Sequence, residues 1–180
     1  MNSTTSTPNP IIFDLIALTK PRVNFLIIFT AIVGMLLAQD FNLNYSLMIY
    51  ASIGIYLAAS AAAVINQIVD QKIDAIMDRT KSRPLIKGNV TSKHAIYFSI
   101  VISLISTYIL YEYVNTITPV LTLFSIIVYS IIYSVYLKNL TSQNIVIGGI
   151  AGAMPPLLGW TAITNGCLLY TSPSPRDALT

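Results

Sequence analysis

The chain has 180 residues, of which 54% are hydrophobic and 9% are charged, and its mean hydropathy is +0.70. Soluble domains carry about 25% charged residues, so this composition excludes an ordinary soluble globule, a disordered tail and a collagen-like fibre. The single cysteine, Cys167, also excludes an intramolecular disulfide and a cysteine-based metal cluster. We therefore predict an integral membrane protein.

Five uncharged segments predict membrane-spanning helices. They are residues 23–38, a part of residues 41–69, and residues 95–111, 113–137 and 145–163. A helix of about 20 residues crosses a hydrocarbon core of about 30 Å, and the shorter segments approach that limit. The segments are uniformly apolar and lack the alternation of a membrane β-barrel. The predicted fold is an all-α, multi-span transmembrane helix bundle.

The basic residues indicate how these spans are oriented. If the five spans alternate, nine of the ten Lys and Arg residues fall on one side: Lys20, Arg22, Lys72, Arg79, Lys81, Arg83, Lys87, Lys93 and Lys138. Positive charges are retained on the cytoplasmic side of membrane proteins. We therefore expect a cytoplasmic N-terminus and a cytoplasmic loop after the second span. The tenth, Arg176, lies on the predicted outer side.

A row of polar residues closes the second span. Asn66, Asp70, Asp74 and Asp78 follow one another at intervals of four residues. Each step of four turns about 400° around a helix, so the first three share one face if the helix continues. Two carboxylates one turn apart repel each other, and each is costly beside lipid. Mg²⁺ would relieve both penalties, because it prefers carboxylate oxygens and commonly binds a substrate phosphate as well.

Basic residues follow this row directly, among them Arg79 and Arg83, whose guanidinium groups match phosphate oxygens. Carboxylates and arginines beside a membrane core indicate a metal-bridged diphosphate on a lipid-like substrate. The alternative is a solvated loop whose charges pair with each other and with anionic headgroups. Asn66 argues against that alternative, because an amide one turn before the first carboxylate has no headgroup to bind.

Residues 66–85 resemble the first aspartate-rich motif of the UbiA family of intramembrane prenyltransferases. They read Asn66-x-x-x-Asp70-x-x-x-Asp74, followed by Asp78-Arg79-Thr80-x-x-Arg83-Pro84-Leu85. The arginine-rich continuation is similar to the haem-directed branch of that family. Residues 18–23 (LTKPRV) and residues 143–160 (QNIVIGGIAGAMPPLLGW) resemble the same branch. The resemblance covers roughly residues 14–164, nearly all of the membrane part.

The resemblance implies a reaction and its participants. The branch transfers the farnesyl group of farnesyl diphosphate to a vinyl group of haem b, giving haem O, with Mg²⁺ as cofactor. The expected partners are those two substrates and the lipid bilayer, with no nucleic acid, and the expected location is the inner (plasma) membrane of a bacterium. The sequence leaves the oligomeric state open. It also leaves open a family member that prenylates a quinone precursor, or a non-catalytic membrane scaffold.

The same resemblance assigns roles to individual residues. The metal-binding set is Asp70 and Asp74, with Asn66 as ligand or orienting residue and Asp78 as a weaker candidate. The diphosphate-binding set is Arg79, Arg83, Lys20, Arg22 and Tyr133, with Lys138 as a catalytic residue. Some of these have a simpler explanation. Tyr133 could belong to an interfacial aromatic belt, and Lys20 and Arg22 could serve only to orient the first span.

The family bundle is larger than this chain and has a second aspartate-rich motif beyond the segment present here. We therefore expect about five spans of a larger bundle, and no activity from these residues alone. Residues 1–165 are assigned to the N-terminal part of the prenyltransferase domain. Residues 166–180 change composition abruptly and are expected to be a non-native or disordered tail. In the fifth span, Pro155-Pro156 predicts a kink or break, and Gly148, Gly149 and Gly152 predict close helix packing.

Overall fold

The structure, a computed structural model, describes residues 11–38, 44–78, 80–81, 83–130, 134 and 144–166. In chain order the helices are α1 (Ile11–Leu18), α2 (Pro21–Leu37), α3 (Tyr45–Val69), α4 (Gln71–Asp74), α5 (Pro84–Lys87), α6 (Ser92–Tyr113), α7 (Ile117–Ile127) and α8 (Asn144–Thr164). No strand occurs among the described residues. The all-α prediction is confirmed.

Two helices are long and apolar enough to cross a membrane, α3 with 25 residues and α6 with 22. The pair α1 and α2 meets the same criteria when it is counted as one span bent by 46°. The apolar helix from Ile117 to Ser130 is shorter, and α8 has 21 residues. The described residues thus contain two spans, or three with the bent pair, that satisfy both criteria, against the five that the sequence predicts.

One face of α6 is apolar and exposed. Tyr97, Ile100, Leu104 and Tyr108 are all more than half exposed. Their spacing of three to four residues places them along one side of the helix. A continuous exposed apolar face is unfavourable in water but matches the hydrocarbon of a membrane.

The bend between α1 and α2 is at Lys20, whose backbone is in the left-handed region with φ 53° and ψ 62°. That conformation costs a non-glycine residue roughly 1–2 kcal/mol. Pro21 follows at the start of α2, where its missing N–H and fixed φ are tolerated. The strained hinge therefore ends one helix, starts the next and sets the position of the Lys20 side chain.

Helix α3 is the centre of the bundle and packs against α2, α6, α7 and α8. Its buried face consists largely of small residues, which let neighbouring helices approach closely. They include Ala51, Gly54, Ala58, Ser60, Ala61 and Ala62. The hydroxyl of Ser106 on α6 donates to the carbonyl oxygen of Gly54 at 2.7 Å. A polar contact to backbone thus accompanies the close packing of α3 and α6.

The contact between α2 and α8 depends on two glycines. A methyl group at Gly34 would overlap the carbonyl of Pro156, and one at Gly159 would overlap the carbonyl of Ala31. The two backbones therefore touch directly. Helix α8 continues without a break through both prolines, so a break at that point is not observed.

The packing prediction for the earlier glycines of α8 is wrong where it can be checked. A methyl group at Gly149 or Gly152 would meet open space. The surroundings of Gly148 lie outside the described residues. The physical reason is the crossing point, because α8 meets α2 one to two turns later along the helix.

A second buried cluster lies where the chain emerges from α3. It contains Leu18, Val64, Leu85, Val90 and Ala95. The side-chain amide of Gln67 donates to the carbonyl oxygen of Leu18, and Asn89 donates to the Asp14 carboxylate at 3.1 Å. These contacts fix α1 and α5 against the end of α3, and so they fix the loop that carries the aspartate-rich motif.

Candidate active site

The polar row at the end of α3 keeps a helical backbone beyond the last residue of that helix. The N–H of Asp70 donates to the carbonyl oxygen of Asn66 at 3.0 Å, and the N–H of Asp74 donates to that of Asp70 at 2.9 Å. Both bonds have the four-residue spacing of an α-helix, which keeps the three side chains on one face. Asp70 and Asp74 are buried, and Asn66 is half-buried. The structure thus brings these three residues together on successive turns.

Asn66 is oriented by a residue from a distant part of the chain. The hydroxyl of Ser134, which is buried, donates to Asn66 Oδ1 at 2.7 Å. The same hydroxyl lies 3.0 Å from the carbonyl oxygen of Tyr129, a second acceptor for its one proton. An amide oxygen has two lone pairs, so one remains for a cation.

Asp74 forms an ion pair with Arg83. The Asp74 side chain is 8% exposed and that of Arg83 is 25% exposed. The hydroxyl of Thr80 donates to the backbone carbonyl of Asp74 at 2.8 Å, which closes the turn between the two partners. The residue predicted to bind metal is therefore paired with one predicted to bind diphosphate.

The donor set can be tested against Mg²⁺. Among the described residues no group of three or more His, Cys, Asp or Glu side chains is arranged to hold a metal ion. Two buried carboxylates and one amide oxygen are nevertheless oxygen ligands of the kind Mg²⁺ uses. Mg²⁺ commonly completes its shell with waters and substrate phosphate oxygens. Asn66, Asp70 and Asp74 fit that partial role.

Asp78 is placed apart from the buried pair. After Asp74 the backbone leaves the α-helical pattern, with the N–H of Ile76 donating to Ile73 three residues back. The Asp78 side chain is 97% exposed and accepts from Lys81 Nζ at 2.7 Å. An exposed pair of this kind contributes at most about 1 kcal/mol. The spacing of four residues continues here in the sequence but not in the helix.

A cavity of about 720 Å³ lies between α2, α3, α7 and α8. Its walls are mainly apolar, and it has the volume of a small-molecule site. Its polar lining residues are Lys20, Asn24, Thr30, Thr122, Ser125 and Tyr129. On α3 the wall includes Ala59 and Ala63, whose helical face continues to Asn66 and Asp70. Asn66, Asp70 and Asp74 are not themselves lining residues, and Asn66 lies about one helical turn beyond Ala63.

Lys20 and Arg22, the two candidates near the N-terminus, have different surroundings. Lys20 lines the cavity, whereas Arg22 is exposed in the first turn of the helix and is not part of the cavity wall. Three other candidates, Arg79, Tyr133 and Lys138, lie outside the described residues, as does the predicted tail beyond residue 166. Their roles stay predictions.

Asn24 is a cavity residue that the sequence reasoning missed. It is 1% exposed, and its amide nitrogen donates to the carbonyl oxygen of Thr19 and to the Ser60 hydroxyl, both at 2.8 Å. Its Oδ1 has no hydrogen-bond partner among the described residues. An amide inside an apolar span is costly and therefore informative. The sequence already contains this amide in an uncharged segment, four residues after Lys20.

Comparisons with known proteins agree with this architecture. The pattern of the UbiA prenyltransferase family matches residues 27–175. Two proteins named protoheme IX farnesyltransferase, from Hahella chejuensis and Alcanivorax borkumensis, are 50% and 53% identical over 152 and 154 residues, which is 84% of this chain and 51% of each relative. One from Ruthia magnifica is 50% identical over 169 residues, covering 89% of this chain and 56% of that protein. The chain spans about half the length of the curated relatives it matches.

A solved structure from work on a digeranylgeranylglyceryl phosphate synthase in membranes has the same fold. Its TM-score is 0.75 at 19% sequence identity, and the match covers 84% of this chain and 53% of that one. The spans, the shared fold and the family match are consistent with a multi-pass membrane protein. The family pattern covers well over half of the residues. The chain belongs to the UbiA prenyltransferase family.

Proposed function

We propose that the whole protein transfers the farnesyl group of farnesyl diphosphate to haem b, forming haem O. The observation that carries this proposal is the buried pair Asp70 and Asp74, which directly follows α3, a helix that forms one wall of the apolar cavity. Relatives about 50% identical to the chain bear the name protoheme IX farnesyltransferase, which favours haem as the acceptor. A quinone precursor has no comparable support.

The chemistry begins with ionisation of the allylic C–O bond, which releases diphosphate and leaves a farnesyl cation. The cation adds to the terminal vinyl carbon of haem b, which leaves the positive charge on the neighbouring carbon. Water adds to that carbon and releases a proton to the diphosphate or to solvent, which gives the hydroxyl group. The energetic problem is the charge that develops on the departing diphosphate. Fixed positive groups beside it lower the barrier, because they stabilise that charge in a site of low dielectric.

Different residues would bind the metal ion and the diphosphate. Asp70 and Asp74, with Asn66, would hold Mg²⁺. Bound there, the ion would neutralise negative charge on the leaving group. Arg83 and Lys20 would bind the diphosphate oxygens directly, Lys20 from the cavity wall. Asp78 is the weakest metal candidate, because its exposed carboxylate pairs with a lysine.

The cavity would hold the prenyl chain. Its alanines and branched aliphatic residues match a hydrocarbon tail, and they keep water away from the reactive cation. The distribution of nine basic residues supports a cytoplasmic N-terminus in the inner (plasma) membrane of a bacterium. The partners are farnesyl diphosphate, haem b and the surrounding lipid.

The proposal is tested by expressing the whole protein and supplying farnesyl diphosphate with either haem b or hydroxybenzoate. We expect haem O from the first mixture and no prenylated product from the second. Asp70→Ala and Asp74→Ala should each lower haem O formation about 10²–10³-fold, as loss of a transition-state electrostatic group does. Glu112→Ala, at the far end of α6, is the matched acidic control and should keep full activity. Unchanged haem O in both aspartate variants would refute the metal role.

The chain of 180 residues, purified alone, should give no haem O. It spans about half of its relatives, and its described residues provide one carboxylate pair. Product from this chain at a rate near that of the whole protein would contradict the half-bundle interpretation.

A further inference from the structure

The ion pair between Arg83 and Asp74 places a guanidinium on the carboxylate that the proposed function assigns to Mg²⁺. The contact is made by Asp74 Oδ2. A divalent cation and a guanidinium compete for such an oxygen, because they repel each other and seek the same lone pairs. The guanidinium takes up part of the acceptor capacity of the carboxylate and repels a divalent cation at the rest, so Arg83 weakens metal binding at Asp74.

The surrounding turn holds the backbone of Arg83 and leaves its side chain as the movable part. The N–H of Arg83 donates to the carbonyl oxygen of Thr80 at 3.0 Å, and Thr80 in turn is bonded to Asp74. Pro84 starts α5 immediately afterwards, and Leu85 is buried in the cluster beneath the loop. The Arg83 side chain is long and a quarter exposed, so its guanidinium can change partners while the loop stays in place.

A buried carboxylate without a partner is strongly unfavourable, so a positive charge beside Asp74 stabilises it. Arg83 supplies that charge in this structure. When a metal ion arrives with a diphosphate, Asp74 gains the ion and Arg83 gains phosphate oxygens, for which its planar fork is well suited. Both side chains remain paired throughout the exchange.

We propose that Arg83 pairs with Asp74 until a diphosphate arrives and then moves from Asp74 to the diphosphate. This inference rests on the proposed function. It makes metal binding and diphosphate binding mutually dependent, with weak metal affinity when the diphosphate is absent. The coupling is reciprocal, since any factor by which the diphosphate strengthens metal binding also applies in the other direction.

The test uses the whole protein in detergent, with Mn²⁺ in place of Mg²⁺ so that bound metal is measured by electron paramagnetic resonance. Farnesyl S-thiolodiphosphate, which does not ionise readily, serves as the diphosphate probe. Arg83→Gln should bind Mn²⁺ alone about tenfold more tightly than the unchanged protein, and should bind the probe about tenfold more weakly in the presence of metal. These opposite changes distinguish the proposal from a merely structural role, which would weaken both. A metal-only affinity that is unchanged or lower in Arg83→Gln would overturn it.

Lys81→Gln is the matched control. It removes one positive charge from the same loop, but Lys81 pairs with the exposed Asp78. We expect its metal-only affinity to stay within about twofold of the unchanged protein, in keeping with the small energies of exposed pairs. An increase equal to that of Arg83→Gln would mean that net charge, and not the contact with Asp74, governs metal binding, and the inference would fall.

Loss of the pair could also weaken the fold, so the melting temperature is measured with and without Mn²⁺. Arg83→Gln should melt lower than the unchanged protein without metal and should gain more from Mn²⁺, because the stabilisation by a ligand that binds the folded state rises with the logarithm of its affinity. A lower melting temperature with no added response to Mn²⁺ would count against the exchange.

The two proposals fail in different ways. If Mn²⁺ binding in the presence of the probe is unaffected by Asp70→Asn and Asp74→Asn, the metal role fails and the exchange fails with it. If those variants lose Mn²⁺ but Arg83→Gln shows no gain in metal-only affinity, the proposed function stands and only the exchange is overturned.

Discussion

The α2–α8 contact and the turn from Asp74 to Arg83 are held together by opposite means. At the first, two glycines bring carbonyl groups against bare Cα atoms, and no charged group takes part. At the second, a carboxylate and a guanidinium share a site that is mostly closed to solvent. The first contact has one possible arrangement, because any added atom overlaps backbone. The second can be exchanged, because either partner can accept another group of the right charge.

The largest effect on stability should come from removing the arginine of the buried ion pair while its aspartate stays in place. Arg83→Ala leaves Asp74 buried without its partner, which we expect to lower the free energy of unfolding by about 3 kcal/mol, near the lower end for buried pairs because the arginine is a quarter exposed. Denaturant unfolding of the chain in mixed micelles measures it. The double variant Arg83→Ala/Asp74→Ala should recover part of the loss. A double variant that is no more stable than the single one would show that the unpaired carboxylate is not the cause.

The next largest effect on stability should come from adding a methyl group at the contact between α2 and α8. Gly159→Ala adds a methyl group against the carbonyl of Ala31 and should cost about 1–3 kcal/mol, the range for overpacked cores. Gly149→Ala on the same helix enters open space and should be neutral or slightly stabilising, since alanine favours helices over glycine by up to about 1 kcal/mol. The comparison of their unfolding curves is the measurement. Equal losses in the two variants would contradict direct contact between α2 and α8.

A smaller effect on stability is expected from removing the hydrogen bond between Ser134 and Asn66. Ser134→Ala removes the hydroxyl that donates to Asn66 Oδ1, and it should lower the free energy of unfolding by about 1 kcal/mol. Ser134→Thr, which keeps a hydroxyl, is the control. If the two substitutions are indistinguishable, the bond to Asn66 contributes nothing to stability.

The smallest effect should come from the exposed pair of the same loop. Lys81→Ala breaks the ion pair with Asp78 and should change the free energy of unfolding by no more than about 0.5 kcal/mol, an effect that salt would screen further. A loss comparable with that of Arg83→Ala would show that burial does not separate the two pairs of this loop.

Much of the architecture could be predicted from local sequence. The second and third predicted spans correspond to α3 and α6, because an uncharged apolar run of that length has few other stable structures in a membrane. The row Asn66, Asp70 and Asp74 followed from helical periodicity alone. The family was recognisable from the same residues, and the match over residues 27–175 confirms it.

The remaining features depend on where distant segments meet, which periodicity does not contain. Gly159 and Gly149 look alike in sequence, and only the crossing point of two helices distinguishes them. Asp78 continues the spacing of the motif, but the backbone leaves the helix before reaching it. The pairing of Asp74 with Arg83 likewise depends on a turn closed by Thr80. Asn24 was different, because a polar amide in an apolar run could have been noticed.

The glycine contact between α2 and α8 also has a mechanical consequence. Backbone contact at both glycines opposes sliding of α2 against α8, so we expect these two walls of the cavity to keep their relative position. A change in the width of the cavity would then require movement of α3 or α7, which form its other walls. The aspartates follow directly after α3, so movement of that helix would displace the charged end of the site at the same time.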